Sequence, residues 1–315
     1  MAHWEPSAAI SVLKTRARLL ARIRDFFNQR EYFEVETPVI AHAGITDVYL
    51  TCLTTGFRGE TLFLQTSPEY HMKRLLAAGS GPIFQICKSF RDDELGRFHN
   101  PEFTMLEWYK PGADFFLFIE EVSDLLTHIL QCPPMIKKTY RALFHEICDI
   151  DPFIAPITVL QSILEQYDLG HVLSRDETDR DVYLFLLMSH VIEPELMHYE
   201  APVAVYDFPA SQASLALVTG GVAKRFEVYF KGVELANGFE ELTDPRQQRQ
   251  RFISDNIVRA QKGIPEARID EFLLQALEHG LPPTCGVALG IDRLLMQALQ
   301  CSSISEVLAF DILRA

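Results

Sequence analysis

Residues 90–109 read FRDDELGRFHNPEFTMLEWY: an arginine, Arg91, closing one apolar run, then a polar turn, then a return run, EFTMLEWY, that carries carboxylates. That succession predicts a hairpin whose arginine forks onto a phosphate or carboxylate, because a guanidinium presents five donors in one plane where lysine offers a point charge. Phe103 on the return strand offers a flat face to a purine ring. Near the other end of the chain, GVALGIDR at 286–293 reads as a glycine-punctuated strand entering a helix that starts at Arg293. Two arginines so distant in sequence predict one nucleotide bracketed from both sides.

The rest of the chain supports a globular protein with one large core. It has 315 residues, of which 48% are hydrophobic and 23% charged, and no Pro/Gly/Ser-rich linker or low-complexity run divides it, so a single domain over 1–315 is expected. The longest apolar run, around 182–188, is too short for a membrane span, and charges stand where a signal peptide would be apolar; a cytoplasmic protein is expected. Six cysteines show no CxxC pairing, which argues for reduced, structural thiols. A net charge of −14 does not advertise RNA binding, which is driven by neutralising phosphates with lysine and arginine.

Periodicity predicts an amphipathic helix over 11–29, with Leu13, Leu20, Ile23 and Phe27 on one face and Lys14, Arg18 and Arg22 on another, followed by a strand at 32–35. A hairpin is expected from 48–55 and 61–65, a short helix at 69–78, the 83–91 and 102–109 strand pair, and a long helix at 114–131. Residues 132–200 read as helical and irregular, and strands return at 203–207, 226–231 and 286–290 between helices near 244–262 and 269–279. The order implies an α+β fold, a mostly antiparallel sheet flanked by helices. No P-loop or GxGxxG follows a strand, so side chains must hold any phosphates.

The segment ending in Glu36-Thr37-Pro38, the 90–109 hairpin and the 286–293 strand resemble, in order, the three motifs of the class II aminoacyl-tRNA synthetase catalytic domain. TSPEYHMKRLL at 66–76 and GVELANGFEELTD at 232–244 are similar to the amino-acid pocket segments of its lysyl group, and the likeness spans nearly the whole chain. The resemblance implies ATP and Mg2+ as cofactors and a homodimer built on the first motif. It implies that Arg91, with Asp92, Asp93, His99, Asn100, Phe103, Glu234, Leu235, Gly290 and Arg293, binds ATP, and that Arg91, Glu234 and Arg293 carry the chemistry. Glu234 and Glu241 would be the metal carboxylates, and the Asn237-Gly238 pair would have to turn the chain for both to reach one atom. Ser67, Pro68, Glu69, Glu107, Tyr109, Asn237, Phe239, Glu241 and Ala288 match the amino-acid pocket. Glu69, Glu107 and Glu241 supply the buried negative partners that a cationic amino acid demands.

Four departures shape the expected activity. The first motif begins almost at residue 1, leaving nothing to read an anticodon; Ala288 stands where the family usually keeps glycine; Ser67 stands where it usually has alanine; Asp93 replaces the usual glutamate. Together these are similar to a stand-alone paralogue of the lysyl domain, which activates (R)-β-lysine as an adenylate and transfers it to a lysine of elongation factor P, with no tRNA involved. A minimal lysyl-tRNA synthetase and a non-catalytic regulatory paralogue stay open as alternatives.

Overall fold

The computed structural model describes residues 4–92, 95–174 and 176–315, which form two compact units: one from the chain up to Phe118 together with Glu240 to the C-terminus, the other from Ile119 to Phe239. The sequence marks neither boundary, since both fall inside regular elements.

The first unit is organised by the hairpin that opened the reading. Strand Ile83–Phe90 pairs antiparallel with Glu102–Pro111, which in turn pairs antiparallel with Thr284–Gly290. The short strand Phe33–Glu34 adds in parallel beside Ile83. Helix Ile10–Asn28 covers this sheet: Phe27 stacks on Phe84 with ring centroids 4.6 Å apart and meets Trp108 edge-on at 5.2 Å. Its buried face is Leu19, Ile23, Phe26 and Phe27, a stripe one position displaced from the expected Leu20. The expected hairpin near 48–65 is shorter at its start, with strands Thr54–Phe57 and Glu60–Leu64, and Ile40–Ala41 completes a three-stranded sheet. Its two-residue loop puts Arg58 at φ 52° and Gly59 at φ 88°, the mirror-image turn that matches strand twist and that glycine adopts without strain.

In the second unit, Val233–Glu240 pairs antiparallel with Val222–Phe230, which pairs antiparallel with Val203–Pro209. Ile136–Thr139 adds in parallel to the last of these, a strand within the stretch read only as helical and irregular. Helices Tyr140–Cys148, Ile157–Gln166 and Arg180–Leu187 build a core that includes Tyr140, Phe144, Leu160, Tyr183 and Phe208. Each unit therefore carries a mostly antiparallel sheet with helices against it, the expected α+β organisation. Among the described residues no helix is long and apolar enough to cross a membrane.

One local expectation is overturned. Asn237-Gly238 does not turn the chain; the strand runs straight through it, with Asn237 opposite Glu227 and Gly238 opposite Phe226. The reversal lies instead at Lys231-Gly232, at φ 52° and 73°, between Phe230 and Val233. An Asn-Gly pair is a strong turn signal in isolation, but pairing with the Val222–Phe230 strand overrides it here.

Candidate active site

Two buried carboxylates, a half-buried one and a buried lysine lie together in the first unit. Helix Glu69–Ala77 starts on Glu69, and one turn later places Lys73, only 2% exposed, with its Nζ 2.6 Å from Glu69 Oε1. The same Nζ lies 2.6 Å from Oε2 of Glu241, whose own N–H donates to Thr284 O and so fixes it beside the Thr284–Gly290 strand. Apart from the Lys73 ammonium, neither oxygen of Glu241 has a hydrogen-bond donor among the described residues, although the residue is 2% exposed. Glu107 completes the set. It and Tyr109 lie two apart on one strand, hence on one face, and Tyr109 donates its hydroxyl to Glu107 Oε1 at 2.5 Å. Ser67 donates to the other oxygen at 2.6 Å while accepting from the N–H of Glu69, so one hydroxyl joins helix start and strand.

Burial sets the protonation chemistry of this group. It raises Glu107 to about 8, helped by the nearby Glu69 charge, and raises Glu241 to about 8 despite the attraction of Lys73. For Lys73 burial works the other way, but the charges of Glu241 and Glu69 outweigh it and hold the ammonium charged beyond the ordinary lysine range. Three acids thus share a single internal cation.

Gly286 keeps this pocket open. It lies opposite Tyr109 in strand register, and a Cβ there would overlap the Tyr109 ring and stand 2.5 Å from Glu241 Oε1. Ala288 is opposite Glu107, so its methyl group and that carboxylate share a face of the sheet.

The arginines of the sequence reading gather around the adjoining hairpin. Arg91 follows the Ile83–Phe90 strand, with its guanidinium carbon 5.1 Å from the centre of the Phe103 ring. Arg293 stands in the first turn of helix Ile291–Leu299, just past Gly290. It donates to Phe98 O at 3.3 Å and to His99 Nε2 at 2.6 Å; arginine carries only donors, so that ring nitrogen accepts. Both guanidinium groups therefore engage residues 98–103 of one hairpin. Asp92 is exposed and its N–H holds Thr51 O, while Asp93 lies outside the described residues. Asn100 is buried, its amide spent within the protein on Glu102 O and on the N–H of Ile312. Its side chain thereby fastens the C-terminal segment to the hairpin.

Glu234, Leu235, Asn237 and Phe239 lie on the Val233–Glu240 strand of the second unit. Leu235 is 2% exposed, leaving only its backbone for a ligand, and Phe239 is half-buried against that unit's core. Glu241, read as a metal carboxylate, has its Oε2 2.6 Å from the Lys73 ammonium. Among the described residues no group of three His, Cys, Asp or Glu side chains has metal-binding geometry. All six cysteines have thiols raised above their usual range, chiefly by burial, and none is set up as a nucleophile.

Residues 2–314 match the family described as "tRNA synthetases class II (D, K and N)". The chain belongs to this class II tRNA synthetase family. Two curated relatives of this class II chain carry the name "Elongation factor P--(R)-beta-lysine ligase". The one from Edwardsiella ictaluri (strain 93-146) is 52% identical over 324 residues, covering 100% of this chain and 99% of its own length. The one from Erwinia tasmaniensis is 51% identical over 320 residues, covering 99% and 98%.

Two residues of this class II pocket escape the sequence reading. Lys73 is assigned no role from the sequence, though its i, i+4 spacing from Glu69 signals a pair. Gly286 passes as strand punctuation, although a glycine inside a strand marks close approach of a neighbour, here the Tyr109 ring.

Proposed function

We propose that this chain is an ATP-dependent ligase that activates (R)-β-lysine, or a closely similar dibasic amino acid, as an adenylate and transfers it to the ε-amine of a lysine on elongation factor P, releasing AMP and pyrophosphate. The single observation that carries the substrate class is the charge count of the pocket. Glu69, Glu107 and Glu241 against Lys73 leave two negative charges uncompensated when all ionise, and burying them is costly without cations. An amino acid with two ammonium groups neutralises that deficit and leaves its carboxylate free to react. An amino acid with an apolar side chain leaves one acid unpaired.

The positioned groups divide the work. Glu241, whose oxygens meet no donor besides Lys73 among the described residues, and Glu69 receive ammonium groups, while Ser67 and Tyr109 hold Glu107 in one orientation. Ala288 and Ser67 narrow and polarise the wall where an amino group displaced by one carbon would sit. Phe103 stacks the purine, and Arg91 and Arg293 screen the charge that builds as the substrate carboxylate attacks the α-phosphate. The role of the protein in that step is to bring two anions together and stabilise their encounter. We assign Glu234 the ATP-facing acid and keep the homodimer and independence from tRNA as parts of the proposal. Magnesium, held by Glu234, would supply charge neutralisation at the phosphates.

Pyrophosphate exchange into ATP, measured with (R)-β-lysine and α-lysine side by side, tests the activation step, and mass spectrometry of elongation factor P after incubation with ATP and each amino acid tests transfer. Strong exchange with (R)-β-lysine and a matching mass increase on elongation factor P are expected. Exchange that is absent with both amino acids overturns the reading.

A further inference from the structure

The contact that joins the two halves of the nucleotide platform comes from a residue with no assigned role. Arg16, on helix Ile10–Asn28, sends Nη1 to Asp292 Oδ1 at 2.5 Å and Nη2 to Thr104 Oγ1 at 2.7 Å, and Nη1 also approaches Val307 O at 3.5 Å. Asp292 closes the ring by accepting the N–H of Thr104 on Oδ2 at 2.7 Å. The side chain of Asp292 is 2% exposed and that of Arg16 15%, so the three groups form a shielded, fully hydrogen-bonded triangle.

Its position gives the triangle meaning. The Thr284–Gly290 strand stops opposite Met105, so the next N–H along the hairpin, that of Thr104, has no strand partner on that side. Asp292 takes over where the ladder ends. Thr104 is the neighbour of Phe103, whose ring lies over Arg91, and Asp292 is the neighbour of Arg293, which reaches His99 and Phe98 O. One guanidinium thus fixes the register between the residue beside the purine face and the residue beside the second phosphate arginine. Lysine cannot replace it, because the two Nη atoms serve two different elements at once.

We propose that Arg16 is a positioning residue for the nucleotide: it sets the distance between Phe103 and Arg293 without touching ATP itself. This rests on the reading above that the platform takes ATP. A purely architectural Arg16 would hold the helix to the sheet and affect stability alone. A positioning Arg16 alters nucleotide affinity and leaves the amino-acid pocket untouched, since Glu69, Glu107 and Glu241 make none of these contacts.

The test uses the full chain with Arg16→Met, Arg16→Lys and Thr104→Val, measuring the Kd of a fluorescent ATP analogue, the KM values for ATP and for the amino acid in pyrophosphate exchange, and thermal midpoints. Arg16→Met is expected to weaken ATP on both scales by about tenfold or more, in line with the cost of misplacing a binding group by a fraction of an ångström. The amino-acid KM should stay within about twofold, with Thr104→Val intermediate and Arg16→Lys recovering only part of the loss. If Arg16→Met does not fold, Thr104→Val and Arg16→Lys carry the comparison, because each keeps part of the triangle. Unchanged ATP binding alongside a lowered thermal midpoint, or equal increases in both KM values, overturns the proposal. A wild-type chain that binds the analogue but exchanges no pyrophosphate refutes the ligase reading while the Kd series still judges Arg16; a wild-type chain that binds no nucleotide refutes both.

Discussion

Replacing Lys73 by methionine removes the one internal cation of the acidic pocket while nearly preserving its volume. Two ion pairs of 2.6 Å are lost from a side chain that is 2% exposed, and Glu69 and Glu241 stay behind. Removing one partner of a buried pair costs about 3–5 kcal/mol, and a unit of this size loses about 2–4 °C of midpoint per kcal/mol, so a fall of roughly 6–20 °C is expected where the acids are ionised. The fall should depend on pH. Lys73 stays charged at neutral and mildly alkaline pH, its pKa being raised further, so only the carboxylates titrate there. Glu241, already raised to about 8, binds a proton more readily once Lys73 is gone. Near pH 6 that proton replaces the missing cation and the loss shrinks; near pH 9 it is full. Thermal melts of wild type and Lys73→Met at both pH values check this. Equal losses at the two pH values would mean that Lys73 contributes packing alone, and the charge argument behind the proposed substrate would fall with it.

Wild-type stability should itself decline as the pH rises from about 4.5 to 8, because the folded protein holds protons on Glu107 and Glu241 that the unfolded chain releases; urea melts across that range measure the slope. A dibasic amino acid needs those acids ionised, so its affinity should rise from pH 6 to 8 with proton release, seen by calorimetry in buffers of different ionisation enthalpy; a flat profile contradicts it. Gly286→Ala pushes a methyl into the Tyr109 ring and toward Glu241, which should cost about 1–3 kcal/mol of stability and raise the amino-acid KM at least about tenfold with ATP affinity retained. Ser67→Ala removes the 2.6 Å donor to Glu107, and combined with Ala288→Gly it should shift the exchange ratio toward α-lysine; an unchanged ratio removes these two positions from the specificity argument.

How far the sequence could be read depended on whether a signal was local. The hairpin around Arg91 and Phe103 was legible because its two strands are long, apolar and adjacent, and the helix over 11–29 because its period is clear. Ile136–Thr139 was not, since IKKT is short and polar and becomes a strand only by pairing with Val203–Pro209 far along the chain. The Asn237-Gly238 turn failed for the same reason in reverse, a local preference overruled by a distant partner. Pocket acids were found by family likeness, whereas Lys73 and Arg16 were given no role. Arg16 nevertheless lies three, seven and ten residues before Leu19, Ile23 and Phe26, on the buried stripe of its helix, and a cation at such a place usually has an anion to meet.

The route of the chain through its two units fixes an order of events at the ribosome. Residues 119–239 are contiguous and can fold as soon as they emerge, but the strand Glu102–Pro111 must wait for Thr284–Gly290 before its far edge is covered. At ~5–20 residues per second, synthesis from Pro111 to Gly290 takes roughly 9–36 s. Throughout that interval one edge of EFTMLEWY lacks its partner strand, so the unit that holds it is completed after the contiguous one and has the greater need of a chaperone.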